Sequence, residues 1–190
     1  MPLSTVTKVF AVTDCKVRPL TADPSGGTPT YGTAIDVPGI KSVAITGSVE
    51  TKRLRGDNTL LDSDTVLTEV NVAIEYAKMD LSLLAAWLGG SVVQAGTTPN
   101  QTATWDLTNA SKPRPFLLEA VSASADTIGG NVGFCLWKVV LSSFPELGLA
   151  EEDYKTSSVQ GAAMPLLSNG KWFTPTLYET AAVAGLSGGS

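Results

Sequence analysis

The sequence predicts a mainly β domain with one long hairpin and one short flanking helix. Residues 66–77 alternate cleanly, with Val66, Thr68, Val70, Val72, Ile74 and Tyr76 on one face and Leu67, Glu69, Asn71, Ala73, Glu75 and Ala77 on the other. Side chains alternate across a pleated strand, so the first set faces a core and the second something polar. Residues 40–55 repeat the pattern, Val43, Ile45 and Val49 against Ser42, Ala44, Thr46, Ser48 and Glu50. Helical spacing is clear only after Asp80, where Leu81, Leu84, Ala85 and Leu88 make one stripe.

Taken in order, residues 8–17 form a β-branched and aromatic run that should end at Pro19. Residues 20–34, with Pro24, Gly26, Gly27 and Pro29, read as a loop or extended arm. Segments 40–55 and 65–78 pair as a hairpin, joined by a turn-rich loop from Gly56-Asp57-Asn58 through Asp62 and Asp64. Asp80 caps a helix of about three turns, which Gly89-Gly90 stops. Shorter strands are expected at 102–108, 116–122, 131–143, 157–164 and 171–178. Gly129-Gly130 and Asn169-Gly170 suit tight hairpin turns. Residues 131–143 are apolar on both faces, which marks a central strand. The whole, 1–190, reads as a single domain, and the Gly/Ser-rich tail 181–190 is flexible in a lone subunit unless a neighbour holds it.

Charged residues make up 16% of the chain against 43% hydrophobic, so fewer charges cover the surface and other protein chains are expected to cover part of it. The net charge is −5, which denies the chain the basic footprint that grips phosphates or anionic membranes. No basic n-region with an apolar stretch opens the sequence, and no apolar run is long enough to span a bilayer, so a product made and soluble in the cytoplasm is expected. Cys15 and Cys135 are expected to be buried and reduced.

The chain has no histidine, which removes the commonest general base and metal ligand. No phosphate loop, dinucleotide fingerprint or nucleophile elbow occurs. Asp57, Asp62 and Asp64 lack the spacing of a calcium loop and read as a polar tip. Glu69 and Glu75 share a face but lie about 20 Å apart along a strand, too far for paired-carboxylate hydrolysis. No catalysis, cofactor or metal is therefore expected. Lys52, Arg53 and Arg55 with Asp57, Asp62 and Asp64 give a tip of both signs, which suits either solubility or contact with another subunit. The residues 151–153 read as an exposed acidic turn.

The order of features adds a resemblance. Gly39-Ile40-Lys41-Ser42-Val43, Glu50-Thr51-Lys52-Arg53-Leu54-Arg55-Gly56-Asp57-Asn58, Glu69-Val70-Asn71-Val72-Ala73-Ile74-Glu75-Tyr76-Ala77 and Met79-Asp80-Leu81-Ser82-Leu83-Leu84-Ala85-Ala86-Trp87-Leu88-Gly89-Gly90 follow one another. This resembles the major tail tube proteins of long-tailed bacteriophages, best over residues 36–90 and more loosely through 116–167. Within the looser part, Phe134-Cys135-Leu136-Trp137-Lys138-Val139-Val140 and Tyr154-Lys155-Thr156-Ser157-Ser158-Val159-Gln160-Gly161 fall in the expected order. The resemblance implies a β-sandwich or barrel of the phage tail tube type. It implies virion subunits that form rings, usually hexameric, stacked into a hollow tube for genome delivery, with tape measure, tail terminator and baseplate proteins as partners. DNA would pass without specific binding. Thr46, Ser48, Glu50, Glu69, Asn71 and Glu75 would then face the lumen, and Arg53, Arg55, Asp57, Asp62, Asp64 and Tyr154 would contact neighbouring subunits. Alternatives are another virion component of related fold, such as a terminator or baseplate hub, or a carbohydrate-binding sandwich using Trp105, Trp137 or Trp172.

Overall fold

Alternation and turn chemistry produce eleven strands and one helix in the computed structural model, which describes residues 6–57, 59–124, 130–148 and 155–179. Asn58, Gly129, the 151–153 turn, Tyr154 and the tail 181–190 lie outside the described residues. Strand β1 (Val9–Ala22) runs past its expected end at Pro19. Proline has no N–H to offer the ladder, but its carbonyl still accepts from Gly32 N, and Leu20 N donates to the Pro115 carbonyl. The expected loop or arm at 20–34 folds back on the body, because β2 (Thr30–Tyr31) and β3 (Ile35–Asp36) both pair antiparallel with β1.

β4 (Ile40–Gly56) and β5 (Thr59–Tyr76) form the long hairpin. Its ladder runs to the pair Gly56–Thr59, so the expected loop through Asp62 and Asp64 is strand instead. Asp57 adopts φ +48°, a left-handed turn conformation that Asp tolerates better than most residues. The helix α1 (Leu81–Leu88) begins at Asp80, whose carboxylate accepts from Ser82 N at 2.7 Å. It makes about two turns rather than three. Its buried residues are Leu83, Leu84, Ala86, Trp87 and Leu88, while Leu81 and Ala85 of the expected stripe are only half-buried, so the apolar face is turned from that stripe toward Leu83 and Trp87.

A small hairpin follows, β6 (Ser91–Ala95) with β7 (Thr102–Asp106). The remaining strands are β8 (Phe116–Ser124), β9 (Val132–Leu141), β10 (Ser157–Ala163) and β11 (Phe173–Leu177). The main sheet is antiparallel in the order β2-β1-β8-β9-β10-β5-β4. β9 is central, as its two apolar faces demand. One of its edges pairs with β8; the other is shared, β11 taking Val132–Leu136 and β10 taking Val139–Leu141. The turn at Asn169-Gly170 therefore joins two strands that lie end to end on one edge, not a paired hairpin.

Cys15 and Val17 of β1, Phe116, Leu118 and Ala120 of β8, and Leu136 and Val139 of β9 share one core with Val159, Val70, Val72, Ile74 and Tyr76. One sheet supplies both sides of that core, so it curls on itself into a sandwich-like body. At one end α1 closes the core, with Trp87 edge-on to Tyr76 at 5.7 Å and 6.1 Å from Phe116. Neither Cys15 nor Cys135 is in a disulfide, and both are buried.

Candidate assembly surface

The hairpin changes character half-way along. As far as Gly47 and Val70 it is part of the body: Val70, Val72, Ile74 and Tyr76 are buried, and Val43 and Ile45 pack partly against the core. Beyond that pair every described side chain of both strands is exposed. Val49, expected in the core, is 64% exposed, since no other layer among the described residues lies over this part of the ribbon. From Ser48 to Gly56 the arm extends about 27 Å at ordinary strand rise.

A bulge resets the faces at the root of the arm. Ser48 pairs with Glu69 but Val49 pairs with Leu67, leaving Thr68 as the extra residue on β5. Val66, expected beside Val70, thus pairs with Glu50, while Leu67 pairs with Val49. A second shift, between Leu54 and Arg55, places Leu61 as the extra residue. Together Val49, Leu54, Leu60, Leu61, Val66 and Leu67 expose apolar surface along the arm. Arg53, Arg55, Asp57, Asp62 and Asp64 are exposed on the same arm, with Lys52 opposite Asp64 and Leu54 opposite Asp62. The structure thus groups all the expected contact residues except Tyr154, which lies outside the described residues.

The expected lumen residues also gather. Thr46 pairs with Asn71 and Ser48 with Glu69, while Glu75 pairs with Ser42. Thr46, Ser48, Glu69 and Glu75 are exposed, Asn71 and Ser42 are half-buried, and Glu50 continues the row onto the arm. The neighbouring strand extends this polar face, since Ser158 pairs with Glu75 and Gln160 with Ala73. Glu69 and Glu75 remain single carboxylates rather than a pair. Among the described residues, no three potential metal-ligating side chains converge, and no helix is long and apolar enough to cross a membrane.

The tryptophans proposed as sugar platforms are engaged within the fold. Trp105 Nε1 donates to the Gly89 carbonyl at 3.0 Å, and Trp137 Nε1 donates to Thr174 Oγ1 at 2.8 Å. Trp172 packs against the core. Two features had no sequence signal. Asp23, in the Pro/Gly-rich stretch, binds Lys138 Nζ at 2.8 Å and accepts from Leu167 N and Ser168 N. A cavity of about 500 Å³ opens at the end of the sandwich away from α1, lined among others by Val12, Val43, Ile45, Phe134 and Phe173. No family model and no curated protein matches this sequence.

Proposed function

We propose that the chain is a structural subunit that assembles with its own copies into stacked rings, forming a hollow tube of the phage tail tube kind. The projecting arm carries this reading. A two-stranded ribbon alone in water is marginal, and this one exposes six large apolar side chains. Among the described residues, its β4 edge has no strand partner along its whole length. Seating the arm on a neighbouring subunit would bury those side chains and cover the edge. The face formed by Ser42, Thr46, Ser48, Glu69, Asn71 and Glu75 supports the hollow-tube form, because a wall of small polar and acidic groups suits a conduit that DNA passes without adhering.

Negative-stain microscopy of the concentrated protein tests the proposal, with tubes of constant diameter as the expected result. Reversing Arg53 and Arg55 to Glu together should abolish the tubes and leave the thermal unfolding of the subunit unchanged. A protein that stays monomeric at every concentration, or a double variant that polymerises normally, argues against this function.

A further inference from the structure

The two faces of the projecting arm carry opposite charge. Cross-strand partners share a face of a ribbon, and the face alternates with each step along the strand. One face therefore presents Thr51 with Thr65, Arg53 with Ser63 and Arg55 with Leu60. The Thr51 and Thr65 hydroxyls meet at 3.0 Å, which fixes that side directly. The other face presents Glu50 with Val66, Lys52 with Asp64 and Leu54 with Asp62. The first thus has two guanidinium groups and no carboxylate, and the second has three carboxylates against one ammonium. All these side chains are exposed. Among the described residues, Arg53, Arg55, Asp62 and Asp64 make no ion pair.

The charges also interlock by level along the arm. Asp64 stands opposite Lys52 and Asp62 opposite Leu54, so the two carboxylates bracket the level of Arg53, and Arg55 lies one step beyond Asp62. Each step is about 3.3 Å. Two arms laid in the same direction and register, arginine side on carboxylate side, bring each arginine within one step of a carboxylate. The same layering sets Val49 and Leu67 of one arm one step from Val66 of the other. Identical ribbons share one right-handed twist, so they nest along their length. Laying like face on like face opposes arginines to arginines or carboxylates to carboxylates, which disfavours a two-fold pair.

We infer that the arm's partner is the arm of a second copy, the Arg53 and Arg55 side of one stacked on the Asp62 and Asp64 side of the next. This rests on the reading of the chain as a self-assembling subunit and names the contact. Each pairing leaves one face of each arm free for a further copy. The contact is therefore heterologous and propagates from copy to copy, closing into a ring where the rotation allows.

Two complementary charge swaps test this. Arg53→Glu with Arg55→Glu makes both faces acidic, and Asp62→Lys with Asp64→Lys makes both basic. Each variant alone should need a concentration at least about tenfold above the parent's to assemble. Mixed one to one, the two should recover the parent's threshold, because acidic faces then meet basic ones. All four positions are exposed, so each variant should keep the parent's melting temperature. A parent that assembles while the mixture stays dispersed overturns this contact and leaves the self-assembling reading standing. A parent that stays monomeric at every concentration overturns both. Either variant assembling alone at the parent's threshold also overturns the contact. The parent supplies a readout free of any substitution: its threshold should rise several-fold between about 50 mM and 0.5 M salt as the paired charges are screened. A threshold that does not rise overturns the contact as well.

Discussion

Asp23 sits in a stretch whose prolines and glycines announce a loop, yet its carboxylate ties three parts of the chain together. Burial alone would raise its pKa, but the Leu167 N–H, the Lys138 ammonium and the Ser168 N–H outweigh burial and hold it below the ordinary value of 3.8. The side chains of Asp23 and Lys138 are 7% and 14% exposed, so removing one partner leaves the other poorly solvated. Asp23→Ala should cost about 3 kcal/mol in urea unfolding at neutral pH. The folded pKa is depressed, so the unfolded chain takes up the proton first. This stabilisation is complete above about pH 4 and drains away as pH falls through the folded pKa. The variant should therefore differ most from the parent at neutral pH and converge with it in acid. Asp36 shifts the other way: burial first, then the Asp14 charge and its hydrogen bond, raise its carboxyl, with Lys16 opposing. Its ionisation works against folding as pH rises through that raised pKa. Asp36→Asn should accordingly add a few tenths of a kcal/mol at neutral pH, the exposed site screening the rest, and nothing in acid. A pH series of unfolding curves for both variants checks the two opposite slopes.

At the scale of elements, the helix ends are the most exposed to test. Gly90 has φ +85°, and a Cβ there would overlap the Asp106 carbonyl, so Gly90→Ala should cost about 2 kcal/mol or more. Asp80→Ala should cost about 1 kcal/mol by losing the cap. Melting temperatures of the two variants rank them, and a neutral Gly90→Ala would contradict the close approach of β7 to the end of α1. The cap and the stop were legible because capping is local chemistry: Asp before an apolar run, glycine after it. β5 over Val70–Tyr76 and the central place of β9 were legible for a similar reason, since period-two alternation is written in the side chains themselves. The hairpin's far half was not. Alternation shows that Val49 and Val66 lie on definite faces but not whether any layer covers those faces, and Thr68 is an extra residue that only its partner strand reveals. The tight turn at Asp57 was hidden by the acidic residues after it, which favour a loop in isolation but here sit on an exposed ribbon where nothing penalises them. Of the candidate surface, the polar row from Thr46 to Glu75 and the charged tip could be read in advance. The apolar side chains exposed along the arm could not, because the sequence alone assigns apolar residues to a core.

For the whole molecule, the proposed tube asks the polar face to do nothing to DNA. Lysine or arginine on a channel wall would hold phosphates through counterion release and slow a passing duplex. Aromatic groups would offer stacking to any exposed base. The face from Thr46 and Ser48 through Glu69, Asn71 and Glu75 has neither, and its exposed carboxylates repel the duplex only over a Debye length of about 8–10 Å. That range keeps the DNA hydrated without barring it. Glu69 and Glu75 are also spaced by six strand residues, about 20 Å, so each ring would present two bands of negative charge rather than one dense belt. Both lie outside the core, so exchanging them for lysine should leave the subunit's stability within about 0.5 kcal/mol. The combined variant Glu69→Lys with Glu75→Lys should therefore still form tubes of the parent diameter, yet those tubes should retain duplex DNA at low salt and release it as salt rises. In a virion the same change should slow genome ejection. Tubes of the double variant that hold no more DNA than the parent would place this face away from the channel, even if assembly itself proceeds as proposed.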